Sequence, residues 1–407
     1  MTDPLPRPVP RWLHVWAVLA AVATLVLLAI GQLVTSFGAG MADRVWPTEP
    51  WHVFHTATDT EKDRFKQEFG FFIEHSHRIA AWTVGGMVIV LAFGLLWTEP
   101  RKAARWVALA GAVVLIAGYG EFHKGMMAQK DVPPREVTLP FAPMLTALIG
   151  ANVMIGRAAS GLFTGARGAG LRLLGALALV AVMIQGLLGG FRVKLNELVG
   201  TDLAAFHGVF AQVVFGLLVT LAVVTARPVA TAGYGPGARR LRLWASAFAH
   251  LIFLQVVFGA LVRHYPTPLA QRLHFLTAFL ATAVGVLVLR AVFADPAARR
   301  RAGAFAWALV VLIALQLYLG VEAWMAKFGQ YTLPELVKVT AESGAIRTLH
   351  ALVGSGVWAV SLALAIRLRS VAVPPNTLEP EASVWAGPRL HAPAPEGAAT
   401  RFRGDPQ

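Results

Sequence analysis

The sequence predicts an all-α, polytopic membrane protein, and three observations carry that expectation. Apolar residues make up 56% of the chain against 14% charged, and they gather in ten runs near the roughly 20 residues a helix needs to cross a bilayer. The runs lack the period-two alternation of barrel strands, and within lipid a helix satisfies its own backbone groups. The basic residues fall in alternate loops.

In order, the runs are 12–34, 74–97, 104–119, 139–158, 172–191, 202–226, 243–263, 271–294, 303–323 and 346–368, the third being the shortest. The first is too long, and lacks a small-residue cleavage site, to be a removed signal peptide; it is read as a retained span. Arg101, Lys102 and Arg105 follow the second run, Arg157, Arg167 and Arg172 flank the loop after the fourth, and Arg239, Arg240 and Arg242 follow the sixth. Arg299, Arg300 and Arg301 follow the eighth, and Arg367 and Arg369 the tenth. The positive-inside rule therefore puts both termini in the cytoplasm, with a multi-pass protein in the cell's inner (cytoplasmic) membrane and lipid as its surroundings. The net charge of +14 then reflects topology, and no nucleic-acid partner is expected.

Residues 1–11 are read as a cytoplasmic N-terminus, 227–242 as a cytoplasmic linker, and 369–407, rich in Pro, Ala and Glu, as a disordered cytoplasmic tail. The chain has no cysteine, which excludes disulfides, thiolate metal sites and iron–sulfur clusters.

Four of the twelve histidines share one address: His77, His207, His274 and His350 all stand near the outer ends of spans that run inward. The last three follow spans carrying Gln-x-x-x-Gly, namely Gln185 to Gly189, Gln255 to Gly259 and Gln316 to Gly320, with Gln32 as a weaker copy before His77. The chain thus reads as a helical hairpin repeated four times, one histidine to each. Ionisable groups inside spans are costly and mark function, and inward-facing histidine pairs can hold a haem iron from both sides. Zinc fits less well, since three of the four copies have no adjacent carboxylate. The other histidines are read as solvated or interfacial: His14, His250 and His391 on the inner side or in the tail, and His52, His55, His123 and His264 in outer loops.

In FFIEHSHRIAAWTV, residues 71–84, helical spacing sets Glu74, His77 and Arg78 on one face and turns His75 away. Only this copy has an acid one turn before its histidine; Ala204, Gln271 and Arg347 stand there in the others. Glu74 is read as the catalytic candidate, a carboxylate able to take or relay a proton beside a haem edge. Arg78 is either its i, i+4 partner or a contact for a haem propionate.

These residues resemble the heme A synthase family: Glu-x-x-His-Arg in EHSHR, QGLLGGFRVKLN with AAFHG, Gln-x-x-x-Gly-Ala-x-Val-Arg-His with LHFLTA, and QLYLG before His350. The resemblance spans about residues 20–100 and 172–368. It implies two similar four-helix bundles, eight core helices in all, that convert the C8 methyl of heme O to a formyl group for cytochrome oxidase. It implies a substrate half, 12–226, in which His77 and His207 ligate heme O, and a half at 243–368 in which His274 and His350 ligate a haem b cofactor. It also implies oxidation assisted by Glu74, with heme O synthase and an electron donor or acceptor as partners. Residues 103–170 depart from the family pattern and read as an inserted hairpin, which brings the spans to ten; it could shield the substrate cleft or dock a partner. Alternatives are a dihaem electron carrier resembling cytochrome b, which leaves Glu74 without a task, and a non-catalytic haem-binding or haem-transfer protein in which the extra hairpin serves delivery, told apart by the pigment it carries. Solute transport is weaker still, since no broken helix with paired acids is seen.

Overall fold

The computed structural model describes residues 9–42, 68–129, 131–166, 168–226, 238–329 and 337–369. His52, His55 and His391, residues 1–8, the linker segment 227–237 and the tail beyond 369 lie outside the described residues.

Among the described residues there are ten helices and no strand. They are α1 Arg11–Ser36, α2 Phe69–Trp97, α3 Lys102–Met127, α4 Phe141–Phe163, α5 Ala169–Lys194, α6 Asn196–Thr225, α7 Ala238–His264, α8 Pro268–Ala294, α9 Pro296–Phe328 and α10 Ala341–Arg369. All ten are long and apolar enough to cross a membrane, which makes the chain a multi-pass membrane protein. Large apolar side chains face outward, among them Leu276 at 68% and Val311 at 64% exposure, as lipid rather than water would require.

Helix ends follow local chemistry. Thr267 caps α8 by accepting from Ala270 N, and Asp295 caps α9 by accepting from Ala297 N and Ala298 N, each followed by a proline at the first helical position. Gly165 and Gly168, at φ 63° and 72°, make the left-handed turn between α4 and α5. Val199 (φ −143°) kinks α6, setting off its first turn. Two boundaries differ from the hydropathy runs with consequences for the site: α2 starts at Phe69, so His77 lies two turns in, and α3 runs on to Met127.

Helices α1, α2, α5 and α6 close one four-helix bundle and α7, α8, α9 and α10 a second, joined where α1 and α6 meet α10 and α6 meets α7. Leu13, Leu91, Leu95, Leu179, Leu218 and Leu221 fill the first core; Phe248, Val288, Leu309 and Leu364 fill the second. Hydrogen bonds cross the seam, from Gln212 Nε2 to Ser355 Oγ at 2.9 Å and from Trp358 Nε1 to Gln212 O at 3.1 Å. Such bonds hold helices where lipid offers no hydrophobic drive between them.

The hairpin α3–α4 stands beside the first bundle. Its two helices pack through bare glycine surfaces: a Cβ on Gly111 would lie 2.8 Å from Met154 N. At the end away from the four histidines, Glu99 anchors it, accepting a hydrogen bond from Arg101 Nε at 2.8 Å and forming an ion pair with Arg172 of α5, whose Nε lies 3.0 Å away. Burial alone would raise the Glu99 carboxyl, but hydrogen bonds from Arg101 and the Arg172 charge outweigh it and hold Glu99 below its ordinary value.

Candidate functional site

Each repeated hairpin brings its glycine against the imidazole of the next helix. A Cβ would stand 2.9 Å from His77 Cε1 if placed on Gly31, 3.1 Å from His207 Cε1 on Gly189, 3.3 Å from His274 Cε1 on Gly259, and 3.1 Å from His350 Cε1 on Gly320. A bare backbone at these points lets each ring lie flat against its neighbour helix. The glutamine one turn earlier completes the contact in three copies. Gln185 Nε2 lies 3.1 Å from His207 Nδ1, Gln255 Nε2 lies 3.1 Å from His274 Nδ1, and Gln316 Nε2 lies 3.4 Å from His350 Nε2.

The first copy differs from the expected one. Gly31, not a residue set by Gln32, meets His77, and Leu27 occupies the place of the glutamine. Gln32 instead accepts from Arg263 of the second bundle.

The four histidines open into a cavity of about 1860 Å³ shared by both bundles. It exceeds the several hundred to roughly 1,000 Å³ of ordinary ligand sites, and has room for more than one large ligand. Glu74, His77 and Arg78 all line it, whereas His75 does not; His75 is 3% exposed and stacks on Phe71 with ring centres 5.5 Å apart. Glu74 is 5% exposed and bonds Arg78 Nη2 at 3.0 Å, the i, i+4 pairing. His14 and His250 stay out of the cavity, near Thr225 Oγ1 and Ser246 O. His123 and His264, expected in outer loops, are carried into the cavity wall, because α3 and α7 extend to include them.

Beyond Arg78, sequence reasoning gave no role to the cations of this end. Arg192 of α5 lies close enough to Glu74, His77 and His207 to act on the charge of each. Arg263 Nη2 reaches Arg347 O at 3.4 Å, and Arg347 Nη2 reaches Ala326 O at 3.1 Å. The positions of Arg192 and Arg263 after Gly189 and Gly259, in GGFR and GALVR, were the available signal for those two.

Whether the residues fit a haem is testable on the site itself. The rings of His274 and His350 have centres 6.3 Å apart at an interplanar angle of 83°. An atom bonded to two imidazoles at about 2.0 Å, with about 1.2 Å from each nitrogen to its ring centre, sets the centres about 6.4 Å apart. Buried atoms without a hydrogen-bond partner include His350 Nδ1, Gln185 Oε1, Gln316 Oε1, Arg192 Nε and Arg347 Nε, all on residues lining the cavity. Such atoms call for a polar or metal-bearing occupant. Among the described residues no group of three or more His, Cys, Asp or Glu could hold a bare metal ion, so paired imidazoles fit a macrocycle-borne iron better than zinc. The residues present fit the group.

Fold and site together define a multi-pass helical membrane protein that presents paired imidazoles, a carboxylate one turn from one of them and clustered guanidinium groups to one large cavity. Residues 2–121, which hold α1, α2 and most of α3 and so include Glu74, His77 and Arg78, match the COX15-CtaA family model, described as cytochrome oxidase assembly protein. Over that segment, less than a third of the chain, the protein is similar to this family of cytochrome oxidase assembly proteins. No curated protein and no solved structure matches the chain.

Proposed function

We propose that the chain is a heme A synthase, an oxidoreductase that converts the C8 methyl of heme O to a formyl group through a hydroxylated intermediate. The observation that carries the reading is the inequality of four otherwise matched sites. Every histidine meets a bare glycine, but only His77 has a carboxylate, Glu74, on the same helix face one turn away.

In this reading heme O is the substrate, bound between His77 and His207. Haem b, held between His274 and His350, supplies one-electron redox chemistry when bound. With water as the oxygen source, converting the methyl to a formyl group balances as R–CH3 + H2O → R–CHO + 4 H+ + 4 e−, and the four electrons would leave one at a time through the haem b half to the separate electron partner. Glu74 accepts a proton at its carboxylate as the substituent is oxidised, and Arg78, bonded to Glu74 Oε1, holds that carboxylate toward the cavity. Arg192 and Arg347, each with a buried Nε lacking a partner, would hold the carboxylates of bound macrocycles by charge-assisted hydrogen bonds. The glutamines at 185, 255 and 316 steer their imidazoles, as partners of metal-bound histidines commonly do. The basic loops favour both termini in the cytoplasm and the inner membrane as the location, with heme O synthase as supplier and a separate electron partner.

Co-expression with a heme O synthase in a host lacking heme A tests the reading by extraction of the haems. Heme A and its hydroxylated precursor are expected. A folded, haem-loaded protein yielding neither would overturn the proposal, and haem b alone in both bundles would favour a dihaem electron carrier.

A further inference from the structure

The cavity is unequal in depth. Past the histidines its lining ends seven residues on along α6 and α10, at Val214 and Val357, and eight along α8, at Thr282. Along α2 it continues twelve residues past His77 to Ile89, about 18 Å of helix at 1.5 Å per residue. This branch runs between α2, α3 and α5, and its deep walls, Ile89, Ile116, Leu179 and Val182, are wholly apolar.

The hairpin α3–α4 makes the branch. At the Glu99 end α2 and α5 pack directly, a Cβ on Gly175 falling 2.8 Å from Leu95 Cδ1. At the histidine end rings of α3 reach both: Trp82 of α2 meets His123 with centres 6.3 Å apart, and Phe122 meets Phe191 of α5 at 6.3 Å. Tyr119 packs on His123 with centres 4.4 Å apart, and its hydroxyl lies over Gly186, next to the glutamine that engages His207. Residues of α4 do not line the cavity; that helix backs α3 and turns Phe141 and Ile149 outward. Three glycines of the branch, Gly85, Gly86 and Gly120, have open space where a side chain would be.

We propose that this branch is the subsite for the long isoprenoid side chain of heme O. It rests on the proposed heme O chemistry and deepens it, because it gives a reason for the substrate macrocycle to choose the first bundle. The bundle of His274 and His350 has no branch of that depth, so it suits a macrocycle without a tail. Trp82, Tyr119 and His123 form the rim on which the tail turns downward. The bare faces of Gly85, Gly86 and Gly120 admit it, and burial of its methylenes holds it. The hairpin is thereby a wall of the substrate site, and its specificity-determining residues are those of α3.

The test co-expresses Gly120→Phe, which fills open space, with heme O synthase and measures pigments extracted from the purified protein. Tailed haem is expected to fall about tenfold or more, as buried methylenes are displaced, while haem b stays at the wild-type amount. Gly156→Phe, on α4 where open space faces away from the cavity, is expected to keep both pigments and controls for added bulk. Tailed haem retained by Gly120→Phe at the wild-type ratio would overturn the subsite. Wild-type protein that carries haem b but no tailed haem would instead overturn the proposed function. A second measurement uses the absence of cysteine: Gly120→Cys gives a single thiol. Its labelling by N-ethylmaleimide is expected to slow on loading with heme O but not with protohaem, and equal slowing by both would count against a tail site.

Discussion

Gly320 lies against the ring of His350 so closely that a Cβ there would stand 3.1 Å from Cε1. The same contact recurs at Gly31, Gly189 and Gly259, and its tightness is graded, from 2.9 Å at Gly31 to 3.3 Å at Gly259. Alanine raises helix propensity by about 1 kcal/mol over glycine, so a loss on substitution reports the ring contact and not the helix. Gly31→Ala is expected to displace His77 and deplete haem from the first bundle, whereas Gly259→Ala leaves the second nearly full. Absorption spectra of the purified variants measure this, and equal depletion by both would contradict a steric origin.

Leu27 stands where three other copies have glutamine. Leu27→Gln is expected to supply the missing amide to His77, and to hold heme O longer in the first bundle while slowing turnover. Retention during purification, compared with heme A yield per protein, checks both halves of the claim. Faster turnover with no added retention would show that the leucine is no more than packing.

Glu74→Gln keeps the shape of the side chain and removes its proton-accepting charge. Both haems should remain bound while turnover drops by about 100-fold, the lower range for general acid–base groups. Heme A formed per bound heme O is the readout. Unchanged yield would reduce the Glu74–Arg78 pair to a structural contact.

Glu99 ties α2 to α5 and to the hairpin through Arg101 and Arg172, the latter 1% exposed. Removing one partner of a buried pair costs about 3 kcal/mol, so Glu99→Gln is expected to lower the melting temperature clearly. The pH dependence has a definite sign. The folded pKa lies below the unfolded one, so the contribution is complete at neutral pH and is lost as acid carries the solution down through the folded value. Melting temperatures measured across that range should converge for wild type and Glu99→Gln as the pH falls; parallel curves would count against the linkage.

Much of the fold and the site is legible from single residues. Hydropathy marks the ten spans, and the matched positions of His77, His207, His274 and His350 announce a repeated site. Local spacing also separates His77 from His75. The first repeat is not legible, and Gln32 is a false lead, because a glycine with leucine one turn before it carries no pattern; only the contact with His77 identifies Gly31. His123 reads as a loop residue because the apolar run ends near Tyr119, although the helix continues to Met127.

The sequence by itself determined which segments cross the membrane and that the four matched histidines stand toward one end of them, because transfer into lipid is summed residue by residue along a segment. The tertiary structure alone decided that α2 neighbours α5, that α3 lines the cavity beside them, and that one cavity serves both bundles. In lipid the outward and inward faces of a helix are both apolar, so rotation and partner depend on the fit of side chains across helices, which hydropathy does not encode.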